Sequence, residues 1–417
     1  MKFKSIKGTK DILPGEVETW QHAEASVHRV MHSFNYREIR TPVFELTALF
    51  ARSIGELTDI VSKEMYTFRD RSDDSLTLKP EGTASVVRAY IQHSLGEQAP
   101  LTKVYYIGPM FRQERPQAGR LRQFHQFGAE ALGSQSSQLD VEMMLIPLEI
   151  YRSLGITQSS LRINSVGCER CRPSYKEKLV RDLMKYYDKL SPESQARVKQ
   201  NPLRVLDSKD ESDRQATKLA PLMMDHLCQE CSDHFAAVRA LLHATRTPYE
   251  INGRLVRGLD YYTKTAFEII SPALGSQDAL AGGGRYDLLA EELGGKPTPA
   301  VGFAAGMERL IVALEKAGAT AAGNQAPVLF IATVEESARQ WAFVKAHELR
   351  SQGFSVELDY LARSLKSQMR DANRQRSHYV LVVGGDELRS GSAKLKDMQT
   401  GTETSVGLSD IQKALKH

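Results

Sequence analysis

The sequence predicts an N-terminal α+β domain with a mainly helical insertion, followed by a smaller three-layer α/β domain. The segment 317–325 (AGATAAGNQ) is small, polar and glycine-containing, as linkers are. Strand and helix patterns alternate after it, whereas the region from about 163 to 250 is helical in pattern, rich in charge and contains all four cysteines. We therefore place the domains at 1–325, with the insertion at about 163–250, and at 326–417.

Length and composition limit the class of protein but not its function. A chain of 417 residues is too long for one ordinary core, and 41% hydrophobic with 25% charged residues is typical of globular proteins. No apolar run reaches the ~18 residues of a membrane span, and the first residues lack a secretory signal. We expect a cytoplasmic protein that does not bind a membrane. The net charge of +4 permits a nucleic-acid partner without favouring one.

The C-terminal region has strand patterns at 326–334, 354–360 and 378–385 with helical patterns between them, which predicts a mostly parallel sheet. The second helix is expected to begin at about Arg363. It carries four basic residues at spacings of 3, 4 and 4, which places them along one helix face. Such a stripe can follow a phosphate backbone, although most basic stripes are only solvated. The four residues are Arg363, Lys366, Arg370 and Arg374.

Residues 108–128 predict a β-hairpin with polar and aromatic side chains on one face. Alternate side chains of a strand share a face, so Arg112 lies with Glu114, and Phe124 lies with Gln126 on the partner strand. An arginine neutralises a phosphate and an aromatic ring stacks on a base, so this face suits a nucleotide. The alternative is a salt-bridged solvent face with the phenylalanine in the core, and the hairpin alone does not separate the two.

The segment 300–310 (AVGFAAGMERL) predicts a strand that enters a helix through small residues. Arg309 is expected on that helix, close to Gly302 and Gly306. An arginine on a helix is usually exposed, but one above a glycine-rich floor is a better candidate for binding a terminal phosphate. This second element favours the nucleotide interpretation of the hairpin.

Together these two elements resemble motifs 2 and 3 of class II aminoacyl-tRNA synthetases, with Ala304 at the second glycine of motif 3. Residues 38–42 (EIRTP) resemble motif 1, which forms the dimer interface in that family. The run 78–83 (LKPEGT) resembles the amino-acid-binding loop of histidyl-tRNA synthetases. The runs 255–263 (LVRGLDYYT) and 280–287 (LAGGGRYD) resemble their histidine-specific motifs.

This resemblance to the histidyl-tRNA synthetase family covers almost the whole chain. It implies a catalytic domain built on an antiparallel sheet, a C-terminal anticodon-binding domain and a homodimer. It also implies that ATP with Mg²⁺ activates L-histidine, which is then esterified onto tRNA(His). Neither step needs a protein nucleophile, so catalysis rests on positioning and on cations near the phosphates.

The same resemblance assigns the residues that bind ATP. Arg112 matches the ligand of the α-phosphate, and Arg309 matches the arginine on the outer phosphates. Arg257 matches the catalytic arginine that bridges the histidine carboxylate and the α-phosphate. Glu114 and Phe124 match the contacts with adenine, through a hydrogen bond and through stacking.

For histidine, the resemblance places Glu130 and Tyr262 at the imidazole. A site that hydrogen-bonds both ring nitrogens rejects other side chains, because they leave buried polar groups unpaired. The further matches are Tyr261 and Tyr286 beside the ring, and Glu81, Thr83, Gln126 and Arg257 at the α-amino and carboxylate groups. As an alternative, tyrosines in apolar surroundings are often core residues with a bonded hydroxyl.

Contacts with tRNA are implied at two places. Arg115 and Gln117, in the hairpin loop, match residues that meet the acceptor stem. The basic stripe lies in the domain that the family uses for the anticodon. RNA binding is therefore the favoured interpretation of that stripe.

The cysteines form two pairs, Cys168-x-x-Cys171 and Cys228-x-x-Cys231. In a cytosolic chain such pairs favour metal or redox chemistry over disulfides, and four thiolates suit tetrahedral zinc. The 56 residues between the pairs exceed the usual zinc-ribbon spacing, so a structural zinc site and a metal-free cluster both remain open.

Two other functions compete with the ligase. The first is the synthetase-like regulatory subunit of ATP phosphoribosyltransferase in histidine biosynthesis. Those paralogues lack the anticodon domain and have degraded histidine motifs, whereas this chain has RGLDYY and a C-terminal α/β region. The second is a nucleotide-binding module without chemistry, which does not explain why Arg112, Arg257 and Arg309 all lie in matching contexts.

Overall fold

The computed structural model describes residues 3–54, 60–116, 120–256, 261–275, 278–319 and 326–415. The chain divides into two compact units, Met1–Ala321 and Ala322–His417. The division falls inside the segment that the sequence suggests as a linker.

The first unit is organised around a large sheet and a small one. Its strands, within the described residues, are Arg37–Glu38 (β1), Phe44–Leu46 (β2), Tyr66–Arg69 (β3), Ser75–Leu78 (β4), Thr102–Phe111 (β5), Gln123–Leu132 (β6), Ser160–Gly167 (β7), Tyr249–Ile251 (β8), Thr263–Ile270 (β9), Ala279–Arg285 (β10) and Ala300–Gly306 (β11). The large sheet has the order β1-β5-β6-β11-β10-β9-β7-β8, and the small one has the order β2-β4-β3. In the large sheet only the edge pairs β1/β5 and β7/β8 are parallel, so the predicted antiparallel sheet is confirmed.

The helices of the first unit include three long amphipathic ones that cover the large sheet. The helices are Val17–Ser33 (α1), Thr47–Ile54 (α2), Thr83–Gln92 (α3), Leu95–Gln98 (α4), Ser137–Ser153 (α5), Arg172–Met184 (α6), Pro192–Gln200 (α7), Leu203–Leu206 (α8), Glu211–Ala216 (α9), Gln229–Ala244 (α10), Leu289–Glu292 (α11) and Met307–Lys316 (α12). In α12, Met307, Leu310, Ile311 and Leu314 follow the 3.6-residue period and are buried. No described helix combines the length and apolar character needed to cross a membrane.

The main core fills the space between the sheet and helices α1, α5, α10 and α12. Alternate residues of β6 and β11 point into it, including Phe127, Ala129, Val301 and Phe303. The intervening residues of both strands therefore point to the opposite face of the sheet, where the candidate site lies.

The helical insertion consists of α6 to α10 and lies between β7 and β8. We expected it to begin at about 163, but β7 continues to Gly167 because Leu161 and Ile163 alternate into the main core. Helix α10 is connected to the sheet through Asp140, which forms a buried ion pair with Arg285. Asp140 on α5 accepts a hydrogen bond from His234 Nε2 at 3.0 Å and from the fully buried Arg285 of β10.

The second unit is a five-stranded sheet with helices on both faces, which confirms the predicted three-layer α/β domain. Its elements are Leu329–Thr333 (β12), Glu336–Ser351 (α13), Val356–Leu358 (β13), Leu365–Arg374 (α14), Tyr379–Val383 (β14), Gly385–Ser390 (α15), Ser392–Asp397 (β15), Glu403–Gly407 (β16) and Ile411–Ala414 (α16). Leu329 and Ile331 pack with α13, whereas Phe330 and Ala332 pack with α14. The sheet order is β13-β12-β14-β15-β16. The predicted strands pair in parallel, but β15 and β16 add an antiparallel half that we did not predict.

Candidate active site

One face of β6 brings the candidate site together. Phe124, Gln126, Gly128 and Glu130 occupy alternate positions of this strand and share its non-core side. We call these four residues the β6 face. From Phe124 to Glu130 the face spans six residue steps, or roughly 20 Å of extended strand. The predicted shared face of Phe124 and Gln126 is therefore found.

Glycines on the neighbouring strand leave room above this face. Gly302 of β11 is paired with Glu130, and Gly306 is paired with Gln126. A Cβ atom at Gly302 would lie 1.6 Å from Glu130 Oε2. A Cβ atom at Gly128 would lie 2.5 Å from the hydroxyl of Tyr106. Gly302 and Gly128 are therefore required by the close approach of side chains, not by turns.

Arginine and glutamate side chains surround the aromatic end of the β6 face. The guanidinium carbon of Arg112 lies 5.4 Å from the centre of the Phe124 ring, and its Nε donates to the carbonyl oxygen of Pro80 at 3.0 Å. Glu114 forms ion pairs with two arginines, with its carboxylate oxygens 3.9 Å from Arg112 Nη1 and 3.3 Å from Arg120 Nη1. We expected Arg112 and Glu114 at the end of a strand. They are loop residues instead, because β5 ends at Phe111.

Arg309 joins this cluster from α12. Its Nη1 donates to the carbonyl oxygen of Ala279 at 2.6 Å. The start of the helix is fastened to β6 because Glu308 accepts the backbone N–H of His125 at 2.9 Å. The pKa of Arg309 is lowered from its ordinary value, first by burial and then by the charges of Arg120 and Arg112. Such mutual repulsion among neighbouring, partly exposed guanidinium groups favours an anion between them.

A buried carboxylate defines the opposite end of the β6 face. Glu130 is fully buried and accepts hydrogen bonds from Thr83 Oγ1 at 2.8 Å, from the Tyr106 hydroxyl at 3.5 Å and from the Tyr286 hydroxyl. Its pKa is raised to about 8, with burial as the largest cause and the nearby Glu81 charge adding to it. Desolvation of this strength is typical of binding and catalytic sites.

The remaining histidine-matched residues surround this carboxylate. Glu81 is buried and accepts the backbone N–H groups of Thr83 and Ala84, at 2.6 and 2.9 Å, at the start of α3. Burial raises its pKa, and those backbone hydrogen bonds partly oppose the shift. Gln126 Oε1 is buried and, among the described atoms, has no hydrogen-bond partner. An unpaired buried oxygen is costly, so it is a candidate for accepting a ligand N–H.

Three tyrosines line the same region. The ring centre of Tyr261 lies 4.8 Å from that of Tyr262 and 5.6 Å from that of Tyr286, and all three side chains are buried. Tyr286 donates to Glu130, so it is bonded to the candidate site and is not only a core residue. The structure thus brings together Glu81, Thr83, Glu130, Tyr261 and Tyr286.

Not every predicted site residue has a described position. Arg257 and Gln117 lie outside the described residues. Arg115 is described and exposed. Conversely, Tyr106 and Arg120 contact site residues, although we did not expect either of them there. Tyr106 is two residues before Gly108 on β5 and pairs with Gly128, so the strand period was the signal that would have found it.

The predicted basic stripe of the second unit is only partly present. Arg363 precedes α14, whose N-cap is Ser364, and it pairs with Asp359 and with Asp371 at 2.6 Å. Arg374 also pairs with Asp371. The expectation of four cations along one helix face is therefore wrong, because Arg363 lies before the helix. Among the described residues of α14, the exposed Lys366 and Arg370 form no ion pair, whereas the exposed Arg374 does.

The four cysteines meet in the first unit although 56 residues separate the pairs. Their sulfur atoms all lie within 4.8 Å of one another, and the arrangement could hold a metal ion. Cys171 and Cys231 are buried, and Cys168 and Cys228 are partly buried.

The chain is similar to known proteins over almost its whole length. A sequence model for the family described as histidyl-tRNA synthetase matches residues 8–310, and one described as an anticodon binding domain matches residues 328–417. The chain is 48% identical to a histidine–tRNA ligase of Halothermothrix orenii over 411 residues, covering 99% of this chain and 98% of that protein. It is 50% identical to a histidine–tRNA ligase of Geobacter metallireducens, covering 96% of each.

A solved structure agrees with these matches. The apo histidyl-tRNA synthetase of S. aureus is similar with a TM-score of 0.84 and 37% identity, covering 100% of both chains. The antiparallel sheet and the C-terminal α/β unit are thus those of a class II aminoacyl-tRNA synthetase. Within that class, the chain belongs to the histidyl-tRNA synthetase family.

Proposed function

We propose that this chain activates L-histidine with ATP and transfers the histidyl group to the 3′ end of tRNA(His). The observation that carries the proposal is the β6 face. It holds a ring flanked by guanidinium groups at one end and a buried, hydrogen-bonded carboxylate at the other. A nucleotide extended along this strand, with an amino acid beyond its phosphates, matches the roughly 20 Å that the face covers.

In the activation step a carboxylate oxygen of histidine attacks the α-phosphorus, and the bond to pyrophosphate breaks. Arg112, beside the Phe124 ring, is placed to bind the α-phosphate of a nucleotide whose adenine stacks on that ring. Arg309 is placed for the outer phosphates, and Glu114 for the adenine amino group. Mg²⁺ enters as part of the ATP complex and partly neutralises the phosphates.

Histidine recognition is assigned to the buried end of the face. Glu130 binds one imidazole nitrogen, and Tyr262 binds the other, with Tyr261 and Tyr286 beside the ring. Glu81, Thr83 and Gln126 bind the α-amino and carboxylate groups. The free Gln126 oxygen and the desolvated Glu130 carboxyl support this assignment, because both leave hydrogen-bonding capacity that a polar ligand satisfies.

In the transfer step the ribose hydroxyl at the tRNA 3′ end attacks the histidyl carbonyl carbon, and AMP leaves. Arg115 and Gln117 are assigned to the acceptor stem, and Lys366 and Arg370 to the anticodon arm. We assign Arg363 and Arg374 to the same arm only through their position beside those two cations. The proposed location is the cytoplasm, where ATP and tRNA are available.

A homodimer is part of the proposal. The small sheet β2-β4-β3 exposes apolar side chains directly after the stretch that resembles motif 1. Phe44 and Phe68 are 47% and 44% exposed, with ring centres 6.3 Å apart, and Leu46 is 56% exposed. Exposed apolar groups concentrated on one small sheet are typical of an interface.

Pyrophosphate exchange tests the proposed function directly. Among the twenty amino acids, only histidine should support exchange of pyrophosphate into ATP. Arg257→Ala should lower histidine-dependent exchange by orders of magnitude, because the variant removes the charge assigned to the α-phosphate. Arg152→Ala, at an exposed pair with Glu149, is the control and should keep full exchange. Exchange with another amino acid, or unchanged exchange in Arg257→Ala, would contradict the assignment.

The regulatory-subunit alternative is disfavoured. Such paralogues of the family lack the anticodon domain, whereas residues 328–417 match that domain here. A regulator would also not be expected to support histidine-dependent exchange, so the same assay separates the two functions.

A further inference from the structure

We propose that Cys168, Cys171, Cys228 and Cys231 bind one structural zinc ion, and that this ion fastens the helical insertion to the strand ends beside the histidine pocket. The metal site itself does not depend on the proposed function. Only its effect on histidine binding rests on that function.

The spacing of the sulfur atoms fits a tetrahedral metal. The sulfur–sulfur separations include 3.8 Å between Cys168 and Cys171, 3.7 Å between Cys168 and Cys228, and 3.9 Å between Cys171 and Cys231, and every pair lies within 4.8 Å. With zinc–sulfur bonds of about 2.3 Å, the edge of a thiolate tetrahedron is about 3.8 Å. A disulfide requires about 2.05 Å, so the four sulfurs are arranged for one shared ion and not for two bridges.

The backbone around the first pair is built for a metal knuckle. Gly167 has a φ of +70°, and a Cβ atom there would lie 2.4 Å from Met223 Cε and 3.0 Å from Cys171 Sγ. The backbone N–H of Cys168 donates to Cys171 Sγ at 3.2 Å. An N–H directed at sulfur stabilises a thiolate, which is the form that binds metal.

The second pair lies at the start of another helix. Cys228 is the N-cap of α10 and Cys231 is in its first turn, while Cys171 is the N-cap of α6. The positive ends of two helix dipoles therefore point towards a site that would hold four negative sulfurs. Cys171 and Cys231 also belong to the apolar core of the insertion, with Tyr175, Leu179 and Met223, which keeps water from the buried side.

Binding changes the charge of the cluster in a defined way. Four thiols lose their protons to solvent and four thiolates bind Zn²⁺, which leaves a net charge of −2. Arg172 follows Cys171 directly, and Arg170 lies between the cysteines of the first pair, so two cations accompany the site. No redox partner is needed, because zinc and the sulfurs keep their oxidation states.

Two side chains beside the cysteines, those of Arg172 and Glu230, link this cluster to the chain segment that contains Tyr262. Arg172 donates to the carbonyl oxygens of Val166 and Gly167 at 3.2 Å, and to that of Tyr262 at 2.5 Å. Glu230, between the cysteines of the second pair, accepts from Lys264 Nζ at 2.8 Å. A side chain next to each cysteine pair is thus hydrogen-bonded to the segment 262–264, where the chain leaves the pocket and enters β9.

The linkage suggests what the ion does. Without it, the contacts between α6 and α10 at this point include the apolar core of the insertion and exposed ion pairs such as Arg170–Glu230. Exposed ion pairs contribute little. With it, the Arg172 guanidinium is fixed against the Tyr262 carbonyl oxygen. Arg172 is therefore a positioning residue and touches no substrate.

Metal content is the primary test. The full-length chain, expressed with added zinc, should contain one zinc per chain by mass spectrometry, and the zinc should be released by a thiol-blocking mercurial. After replacement by Co²⁺, the wild-type chain should show intense sulfur-to-cobalt charge-transfer bands and tetrahedral visible bands. Fewer than about 0.1 zinc per chain, or a weak octahedral cobalt spectrum, would overturn the proposal.

Variants identify the ligands. Cys228→Ser should lose most of the bound metal, and Ser232→Ala, at an exposed position one residue after Cys231, should keep it. If Cys228→Ser does not fold, the cobalt spectrum of the wild-type chain still decides the question. Equal metal contents in the two folded variants would contradict the assignment.

The effect on the pocket is measured separately. Removing zinc should raise KM for histidine in pyrophosphate exchange by roughly tenfold, a usual size for disturbing a supporting shell, with a smaller change in kcat. Arg172→Ala should raise that KM while zinc stays bound. If the metal leaves and KM for histidine is unchanged, the link to the pocket is wrong. If zinc is bound and no amino acid supports exchange, the proposed function fails and the metal site stands.

Discussion

At the scale of single residues, burial strongly perturbs the Glu130 carboxyl. Its pKa is raised to about 8 in the folded chain, mainly by burial, from an ordinary value of 4.5. Between these values the folded state holds a proton that the unfolded state has released. The contribution of Glu130 to the free energy of unfolding is therefore fully present below about pH 4.5 and is lost as the pH rises to about 8.

Glu130→Gln removes this titration while keeping the shape and an acceptor oxygen for Tyr286 and Thr83. In the absence of histidine, the Tm of the variant minus that of the wild type should become more positive from pH 5 to pH 9, by about 4 °C or more. Thermal unfolding at pH 5, 7 and 9 measures this difference. Glu149→Gln, at an exposed pair with Arg152, is the control. A difference that does not change with pH for Glu130→Gln would show that the carboxyl is ionised throughout.

At the scale of elements, strand β11 offers two glycines with opposite requirements. At Gly302 a Cβ atom would lie 1.6 Å from Glu130 Oε2 and 2.7 Å from the carbonyl oxygen of Ala129. At Gly306 the nearest atoms are Arg309 Cγ and Cδ at 3.6 Å, which is ordinary contact. Both glycines lie on the same face of the same strand, so strand propensity does not distinguish them.

Gly302→Ala should therefore lower the free energy of unfolding by roughly 2–4 kcal/mol, because Glu130 or the backbone of β6 must move. Gly306→Ala should change it by less than about 1 kcal/mol. Denaturant unfolding of the two variants measures the contrast. Similar losses in both would mean that the close approach of Glu130 to β11 is not present in solution.

Sequence patterns predicted elements well where one face is apolar and the other is not. The alternation along β6 and the spacing of buried residues in α12 each have a single buried side, and both elements were found. Strands β15 and β16 were missed because their residues are mostly polar and only Ala393, Leu395 and Val406 are buried. Their pairing comes from β14, which a local pattern does not contain.

Site residues were predictable where a local arrangement carries them, as for Phe124 and Gln126. The pairing of a charged group was not predictable. Arg363 was expected on a helix face. Ser364 is instead the N-cap of that helix, and the Arg363 guanidinium donates a hydrogen bond to Asp359. The contact between the two cysteine pairs was left open by the sequence, because it depends on how the insertion folds between them. Tertiary partners decide these cases, and one-dimensional spacing does not report them.

At the scale of the whole molecule, each unit has hydrophobic cores of its own. The cores of the second unit contain only residues from 328 onward, and the main core of the first contains none beyond Ala319. A chain that ends at Ala321 should therefore fold. It should keep histidine-dependent pyrophosphate exchange within a few-fold, because the β6 face and its arginines lie in the first unit. Charging of tRNA(His) should fall by about 100-fold or more, because the RNA contacts assigned to α14 are lost.

The cause of that loss can be traced to particular cations of the full-length chain. One double variant, Lys366→Ala with Arg370→Ala, removes the two exposed cations of α14 that form no ion pair. The control double variant, Lys394→Ala with Arg389→Ala, removes two cations that pair with Glu403 and Asp386. If the first pair neutralises RNA phosphates, its loss should weaken tRNA binding and reduce the dependence of log Kd on log salt by about 0.7–0.9 for each contact. The second pair should leave both quantities nearly unchanged, although both double variants remove the same net charge. Equal weakening of tRNA binding in the two double variants would mean that the domain attracts RNA through its total charge.

The truncated chain has its own contrary outcome. If it loses pyrophosphate exchange and tRNA charging equally, the second unit supports the catalytic fold.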